Sequence, residues 1–308
     1  MGSPDFAVPS LEAIAARHDV ALVVTQPDKP AGRGGAIAAP PVKRAAERLG
    51  FPIFQPPRVR PPEIAATLRA TGAELGVVVA YGKILPPAVL TAFARGCINV
   101  HGSLLPAYRG AAPIQWAVLD GRATTGVTIM QLDEGMDTGP MLLVRDTPIA
   151  PSETAGDLFA RLAPLGAAAL VEAIDGLAAG TLAPQPQPSD GASHARMLTK
   201  ADGAIDFQRD AAAVSAHIRG VDPWPGATAT VRGQVVKLFG AVVRGARGGD
   251  AGVIAAIDGD GAHVLCGDGG VVVVRELQLP ARKRMAARDL VNGHQLAVGD
   301  RFAPAVGS

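Results

Sequence analysis

Asn99 and His101 are the polar side chains at the end of a short apolar segment, CINVH, in the first half of the chain. Residues i and i+2 of an extended strand point to the same face, so both side chains can reach one ligand. An imidazole can act as a general base or a charged donor near neutral pH. An amide N–H can donate to an oxygen that gains negative charge. A lone histidine is more often a satisfied core residue, but Asn99 on the same face and the Gly-Ser-Leu-Leu-Pro turn that follows favour a functional site.

An acidic loop lies between two strand-like runs, in the segment LDEGMDTGPML. Its carboxylates belong to Asp133, Glu134 and Asp137. A histidine base generally needs an acidic partner that orients it, and this loop is the best candidate to supply one. Gly135 and Gly139 allow a tight turn with close approach of the backbone. The spacing matches no calcium loop and no second histidine is near, so a metal site is the weaker interpretation. A solvated acidic turn is the plain alternative.

A loop rich in proline and glycine, QPDKPAGRGG at residues 26–35, follows another strand-like run. It contains neither the Lys-Ser/Thr pair of a P-loop nor the G-x-G-x-x-G pattern of a dinucleotide site, so we do not expect it to cradle a nucleotide. Arg33 is flanked by glycines. We expect this side chain to protrude, as a contact to a polynucleotide would.

Positive charge is concentrated in two stretches, although the net charge of the whole chain is only +1. Residues 29–69 contain eight Lys or Arg against two Glu. The second stretch contains Arg282, Lys283, Arg284 and Arg288. Either stretch could contact phosphates, but solvated faces are the more common explanation of such clusters.

The bulk composition is that of a globular protein with room for two cores. The chain has 308 residues, of which 48% are hydrophobic, and this favours packed domains over disorder. Cys97 and Cys266 form neither a metal-site spacing nor a disulfide framework, so we expect buried thiols in a reducing cytoplasm. We expect no apolar run of membrane-spanning length and no signal peptide.

The first half alternates strand-like and helix-like segments, and these must position the side chains named above. The predicted strands are 21–25, 75–80, 98–100, 126–132 and 141–149, and the predicted helices are 40–50, 86–96, 113–121 and 153–178. Continuous apolar strands separated by helices indicate an α/β fold with a Rossmann-like, doubly wound, mostly parallel sheet. Such sheets bind ligands at the carboxyl ends of their strands, where Asn99 and His101 lie.

The second half of the chain differs in character. Residues 180–195 contain Pro, Gln, Ser and Gly without periodicity, which is typical of a linker. A helix-like segment, 211–220, then precedes short β-rich runs that predict a small β-barrel. The predicted organisation is a Rossmann-like domain over 1–182, a linker over 183–200 and a second domain over 201–308.

Several segments along the chain match a known enzyme family. In the first half they are TQPDKPAGRG, VVVAYGKILP, INVHGSLLPAYRGAAPIQWAV and TGVTIMQLDEGMDTGPML. In the second half they are IRGVDPWPGATA and LPARKRMAARDLVNG. On these segments the chain resembles the methionyl-tRNA formyltransferase family over nearly its whole length. The Asn-x-His-x-Ser-Leu-Leu-Pro stretch with the Asp-Thr-Gly loop is specific to enzymes that use formyltetrahydrofolate.

The resemblance implies an activity and a set of catalytic roles. The family transfers a formyl group from 10-formyltetrahydrofolate to the amino group of methionine on initiator tRNA. By the matching motifs, Asn99, His101 and Asp137 are the catalytic trio. The segment that contacts folate comprises Ser103, Leu104, Leu105 and Pro106.

The resemblance also implies how tRNA is held. Arg33 matches the loop arginine that approaches the acceptor end of tRNA. The C-terminal domain is similar to an OB-like barrel that holds tRNA, and we expect its basic run to contribute Arg282, Lys283 and Arg284. The protein is expected to act in the cytoplasm as a monomer, without a membrane and without a metal ion.

The N-terminal end departs from the family pattern. In the family an apolar strand precedes the Gly-Ser/Thr-Pro-Asp-Phe turn, whereas here that turn starts at Gly2. In the usual strand order the missing strand is central, and its loss leaves buried backbone groups unpaired at about 1–3 kcal/mol each. We therefore expect the native chain to begin upstream of Met1. Folate-site roles for Asp5 and Phe6 depend on that strand.

Two other functions stay open. A relative that formylates a nucleotide-sugar or a purine-precursor amine would share the Asn-His-Asp core, but the basic loop at 26–35 and the β-rich C-terminal part argue against it. A non-catalytic RNA-binding protein that kept the fold would account for the basic stretches, but it has no use for Asn99, His101 and Asp137. A formyl-transfer assay separates these alternatives.

Overall fold

The computed structural model describes residues 1–31 and 35–305, and the chain divides into two compact units. The first unit comprises Met1–Pro113, Gly126–Thr147 and Phe159–Ala195. The second comprises Ile114–Thr125, Pro148–Leu158 and Arg196–Ser308. Each unit contains a cluster of buried apolar side chains, so each is described by itself.

The helices of the first half begin and end where the local sequence dictates. They are α1 (Val8–Ala15), α2 (Pro41–Leu49), α3 (Pro62–Ala70), α4 (Pro87–Leu90), α5 (Pro113–Leu119) and α6 (Ala155–Ala179). Proline in a first turn has its φ preset and gives up no helical hydrogen bond, and α1 to α5 all use it there. Gly50, with φ +77°, ends α2 in the left-handed conformation. The helix predicted over 40–50 is confirmed.

The strands of the first half are short, and the strand Cys97–His101 is completely buried. They are β1 (Val23–Val24), β2 (Lys29–Ala31), β3 (Ala36–Ala38), β4 (Ile53–Phe54), β5 (Gly76–Val78), β6 (Cys97–His101), β7 (Arg109–Gly110), β8 (Thr124–Gln131), β9 (Met141–Pro148) and β10 (His194–Ala195). The main sheet has the order β5-β6-β8-β9. β6 pairs in parallel with β5 and antiparallel with β8, so both of its edges are covered. The α/β fold is as predicted, while β8 runs against the direction of its neighbour.

The backbone of Met1 and Gly2 lies between β1 and β5. Gly2 N donates to Val24 O at 3.0 Å, and Val79 N donates to Met1 O at 2.8 Å. A cavity of about 130 Å³ adjoins these residues, and the buried Ser10 is part of its lining. The expectation that a longer strand precedes this backbone stays a prediction.

Helix α6 is 25 residues long and, by length and composition alone, apolar enough to cross a membrane. The expectation that no segment would reach this length does not hold for it. In the structure Leu162, Leu170 and Ala173 are 0% exposed and share one face of the helix. A Cβ added to Gly166 would come within 2.7 Å of Val100 Cγ1, so α6 packs closely against β6. One buried face of this kind is typical of a core helix.

An antiparallel sheet and the helix packed on it form most of the second unit. The elements are α7 (Ala211–Gly220), β11 (Ala227–Val231), β12 (Gln234–Ala246), β13 (Ile254–Ile257), β14 (Ala262–Leu265), β15 (Gly270–Gln278), β16 (Arg284–Ala286), α8 (Ala287–Asn292) and β17 (Ala303–Pro304). The strand order is β13-β14-β15-β12-β11-β17, with β16 on β15. The sheet curls into a half-barrel, in agreement with the predicted small barrel. Asp210 caps the N-terminus of α7, and its side chain accepts from Ala213 N at 2.7 Å.

Candidate active site

The candidate active site begins at the carboxyl end of β6. Asn99 and His101 lie two residues apart on this strand, and only 9% and 5% of them are exposed. On β8, Met130 is opposite Asn99 and Thr128 is opposite His101, which fixes the strand in register. The predicted placement of both residues on one buried strand is confirmed, and their spacing gives them a common face.

A hydrogen bond to the backbone decides which ring nitrogen of His101 is available. Nε2 lies 2.9 Å from the carbonyl oxygen of Tyr108. A carbonyl oxygen only accepts, so Nε2 carries the hydrogen. Nδ1 is then the nitrogen left to exchange a proton, and it lies 3.6 Å from Oδ2 of Asp137. The ring is held between a fixed acceptor and a carboxylate, which is the arrangement that an acid–base group needs.

Asp137 lies in a loop whose backbone is tightly bent at the site. Its φ of +54° lies in the left-handed region that non-glycine residues rarely adopt. Its Oδ2 accepts from the backbone N–H of Gly110 at 2.8 Å. A Cβ added to Gly139 would come within 1.9 Å of Gln131 O, so that position requires glycine. The close approach predicted for the loop is confirmed at Gly139.

The acids of this loop have different surroundings. Asp137 is the one that reaches His101. Asp133 accepts from Thr138 Oγ1 at 2.8 Å and therefore shapes the loop, while Glu134 is exposed. Within residues 1–31 and 35–305, no group of three or more His, Cys, Asp or Glu could hold a metal ion.

The turn after β6 buries Ser103, the first residue of the segment that is expected to contact folate. Ser103 is 0% exposed, and its Oγ donates to Ala107 O at 2.6 Å. Its carbonyl accepts from Thr128 Oγ1 at 2.7 Å. The hydroxyl and the carbonyl of Ser103 are thus both used within the protein. The other predicted residues of this turn are the partly exposed Leu104 and Pro106 and the buried Leu105.

The basic run of the second unit contains side chains in unlike surroundings. Arg282 and Lys283 are exposed. Arg284 is ion-paired with Glu276, donating from Nε to Oε2 at 2.6 Å, and its guanidinium lies 4.2 Å from the centre of the Phe239 ring. Arg284 is therefore already engaged by neighbours, whereas Arg282 and Lys283 present their charges to solvent.

Part of the charge in the stretch 29–69 is neutralised locally. Lys43 Nζ lies 2.6 Å from Oδ2 of Asp28, whose other oxygen accepts from Gln55 Nε2 at 2.7 Å. The hydrogen bonds from Gln55 and Lys43 hold the pKa of the Asp28 carboxyl below its usual range. Arg33, the predicted tRNA contact of this stretch, lies outside the described residues.

Two backbone groups also position the side chains of the site, and the sequence does not predict either of them. The Tyr108 carbonyl orients His101, and the Gly110 N–H positions Asp137. Tyr108 has φ +61°, and its N–H donates to Ser193 Oγ at 2.8 Å. A Pro, Tyr, Arg and Gly turn indicates an irregular backbone, but it does not show where the carbonyl and amide groups point.

Known proteins related to this chain match it along almost its full length. Residues 3–174 match the family model for formyl transferase, and residues 197–295 match that for formyl transferase, C-terminal domain. The methionyl-tRNA formyltransferase of Sorangium cellulosum is 48% identical over 301 residues, covering 97% of this chain and 96% of that protein. The methionyl-tRNA formyltransferase of Dechloromonas aromatica is 48% identical over 302 residues, covering 98% and 97%.

A solved structure shares the fold. It is the N-formyltransferase from Helicobacter canadensis in complex with folinic acid and dTDP-3-aminofucose. Its TM-score is 0.68 at 18% identity, covering 90% of this chain and 97% of that one. At this identity the likeness concerns the fold alone.

Proposed function

The chain belongs to the formyl transferase family, and on that premise we infer that it transfers the formyl group of 10-formyltetrahydrofolate to the amino group of methionine on initiator tRNA. The product, N-formylmethionyl-tRNA, serves the initiation of translation. The observation that carries the proposed catalytic roles is the grouping at the end of β6. There Asn99 offers an amide donor, and His101 Nδ1 lies 3.6 Å from the Asp137 carboxylate.

We propose that His101 takes the proton that the attacking amine must lose. The amine nitrogen bonds to the formyl carbon, and the bond from that carbon to the folate nitrogen breaks. Nε2 is committed to the Tyr108 carbonyl, so Nδ1 receives the proton and later returns it to the departing nitrogen. The Asp137 carboxylate stabilises the imidazolium that exists between these transfers.

Asn99 is proposed to stabilise the oxygen of the formyl group. That oxygen gains negative charge when the amine attacks, and an amide N–H fixed on a rigid strand can donate to it without reorganising. Both edges of β6 are paired, which gives this rigidity. Loss of a single donor of this type lowers the catalytic rate by about 10²–10³-fold in other enzymes.

The turn that follows β6 is proposed to hold folate through its apolar side chains. Leu104 and Pro106 have accessible surface for a ring system, and Leu105 supports them from the interior. Ser103 belongs to the same segment, but its hydroxyl is bonded to Ala107 O. Its proposed contribution to folate binding is therefore the shape of the turn.

The proposed tRNA contacts are Arg33, Arg282, Lys283 and Arg284. Exposed cations that meet phosphates release counterions, so each lost contact lowers the salt slope of binding by about 1. We expect K283A to weaken tRNA binding and reduce that slope. R284A should change the slope less, because Arg284 is already paired with Glu276. Equal slopes in K283A and the wild-type protein, measured by titrating tRNA at several salt concentrations, would remove Lys283 from the contact surface.

The proposed setting is the cytoplasm, where charged tRNA and reduced folate are both present. We propose that the protein acts there as a monomer and without a membrane. Light scattering during the tRNA titration checks this, since a monomer should give a one-to-one complex.

A formylation assay with a choice of acceptors tests the function. Initiator methionyl-tRNA, elongator methionyl-tRNA, an amino-sugar nucleotide and a purine-precursor amine are each offered with 10-formyltetrahydrofolate. We expect formyl transfer to initiator methionyl-tRNA and little to the other acceptors. Preferential transfer to a small amine would support a different formyl acceptor, and binding of tRNA without any transfer would support the RNA-binding alternative.

A further inference from the structure

The segment 180–195, whose composition is that of a linker, contacts the candidate active site at several of its residues. Ser193 Oγ accepts from Tyr108 N at 2.8 Å, and β10 pairs in parallel with β7. These contacts reach the turn that orients His101. The same segment also reaches the loop that carries Asp137, through one side chain described next.

The side chain of Gln187 uses its whole hydrogen-bonding capacity at this point. Its Nε2 donates to the carbonyl oxygens of Asp137 and Gly139, both at 2.8 Å. Its Oε1 accepts from Nε of Arg109 at 3.0 Å and from Nη2 at 2.6 Å. The Gln187 side chain therefore links the acidic loop to Arg109 of β7. Its amide donates two hydrogen bonds and accepts two.

The backbone conformation of Asp137 requires stabilising contacts such as those from Gln187. Its φ of +54° is disfavoured for a side chain with a Cβ, so surrounding contacts must hold it. Its carboxylate is fixed by Gly110 N, and its carbonyl is fixed by Gln187. Gly110 follows Arg109 in β7, so the side chain of Asp137 is held to this strand directly, and its backbone is held to it through Gln187 and the Arg109 side chain.

We propose that Gln187 is a positioning residue that keeps the Asp137 carboxylate against His101 during formyl transfer. It acts through the backbone of Asp137 and not on the reacting atoms. The inference rests on the proposed function, because it concerns the rate of that reaction. Displacement of a catalytic group by about 1 Å can lower a rate by about 100-fold.

Substitution of Gln187 by glutamate separates the effect of its Nε2 donor from that of its Oε1 acceptor. Q187E keeps the size and the acceptor for Arg109, but a carboxylate cannot donate to the carbonyls of Asp137 and Gly139. Q187M has a similar length and removes both sets of hydrogen bonds. If the donors matter, both variants are impaired; if the contact to Arg109 matters, Q187E resembles the wild-type protein.

Single-turnover formylation of initiator methionyl-tRNA tests the proposal in the full-length protein. We expect Q187E and Q187M to transfer the formyl group about 10- to 100-fold more slowly, with KM for tRNA and folate changed by less than about twofold. In the D137N background, Q187E should add little, because the group that it positions is already gone. Gln185 is exposed and in the same segment, so Q185M is the matched control and should resemble the wild-type protein.

The outcomes distinguish failure of the proposed function from failure of the proposed role of Gln187. A wild-type protein that formylates no acceptor overturns both the proposed function and this inference. An active wild-type protein with Q187E turning over at about the same rate overturns the inference alone. Multiplicative effects of Q187E and D137N would assign Gln187 a structural role independent of Asp137, and this also overturns it.

Discussion

A hydrogen bond to a backbone carbonyl determines which nitrogen of the His101 ring can exchange a proton. The Tyr108 carbonyl accepts from Nε2 at 2.9 Å and leaves Nδ1 toward Asp137. Sequence spacing was enough to pair Asn99 with His101, because a strand has a period of two. It could not choose Asp137 among the neighbouring acids. That choice depends on a left-handed backbone at Asp137, and such a conformation leaves no pattern in the residue types.

The buried hydroxyl of Ser103 is expected to contribute to stability and not to folate binding. This hydroxyl donates to Ala107 O, so S103A should lower the free energy of unfolding by about 1 kcal/mol. The variant should bind a reduced folate with nearly the wild-type Kd. Urea unfolding and a folate titration measure the two quantities. If S103A instead kept its stability and lost folate affinity, the hydroxyl would be a direct ligand of folate.

Elements with strong local signals were predicted well, and those that depend on tertiary context were not. Proline at the start and glycine at the end placed α2 within a residue or two of its bounds. The helix predicted over 86–96 ends at Leu90, after one turn. Thr91 Oγ1 bonds back to Pro87 O, and Ala92 N bonds to Val89 O, so the chain continues as turns.

Helix α7 contains a partly buried histidine that is expected to make stability depend on pH. Burial lowers the pKa of His217, whose Nε2 lies 2.7 Å from Asp202 O. The unfolded chain, with a histidine pKa of about 6.5, binds more protons than the folded chain below that pH. The free energy of unfolding therefore falls as the pH drops below about 6.5, and this group has no effect above it.

The variant H217Q keeps an N–H donor and removes the titrating group. We expect it to flatten the part of the pH dependence that lies just below about 6.5, as measured by urea unfolding at a series of pH values. An identical pH dependence in H217Q and the wild-type protein would show that His217 titrates normally in the folded state.

The whole molecule consists of two units, and the path of the chain between them could not be predicted from composition. Residues 180–195 lack periodicity, which is typical of a linker, and in the structure they cluster with the first unit and bond to its active-site loops. Irregular segments with Pro, Gln and Ser satisfy their polar groups through specific side chains, and composition does not identify those partners.

The two cysteines allow the opening of each unit to be measured separately. Cys97 lies in the first unit and Cys266 in the second, and both are buried. Burial raises the pKa of each thiol to about 12. Because the thiolate is the reactive form, alkylation should require opening of the unit that holds it. We expect a reduced folate at about 100 times its Kd to slow labelling of Cys97 by about 100-fold and that of Cys266 less.

Mass spectrometry of tryptic peptides measures the two labelling rates in one experiment. Labelling of Cys97 in the folded protein as fast as that of a free thiol would contradict its burial. Slowing of Cys266 alone by folate would place the folate site in the second unit, against the proposed function.

The Asp137 carboxylate beside His101 is proposed to serve formyl transfer. The most direct test of this role is the single-turnover formylation rate of D137N beside that of E134Q, which removes an exposed carboxylate from the same loop. We expect D137N to be slower by about 10²–10⁴-fold with tRNA and folate affinities changed by less than about twofold, and E134Q to match the wild-type protein. A D137N rate within about threefold of the wild-type rate would contradict the account.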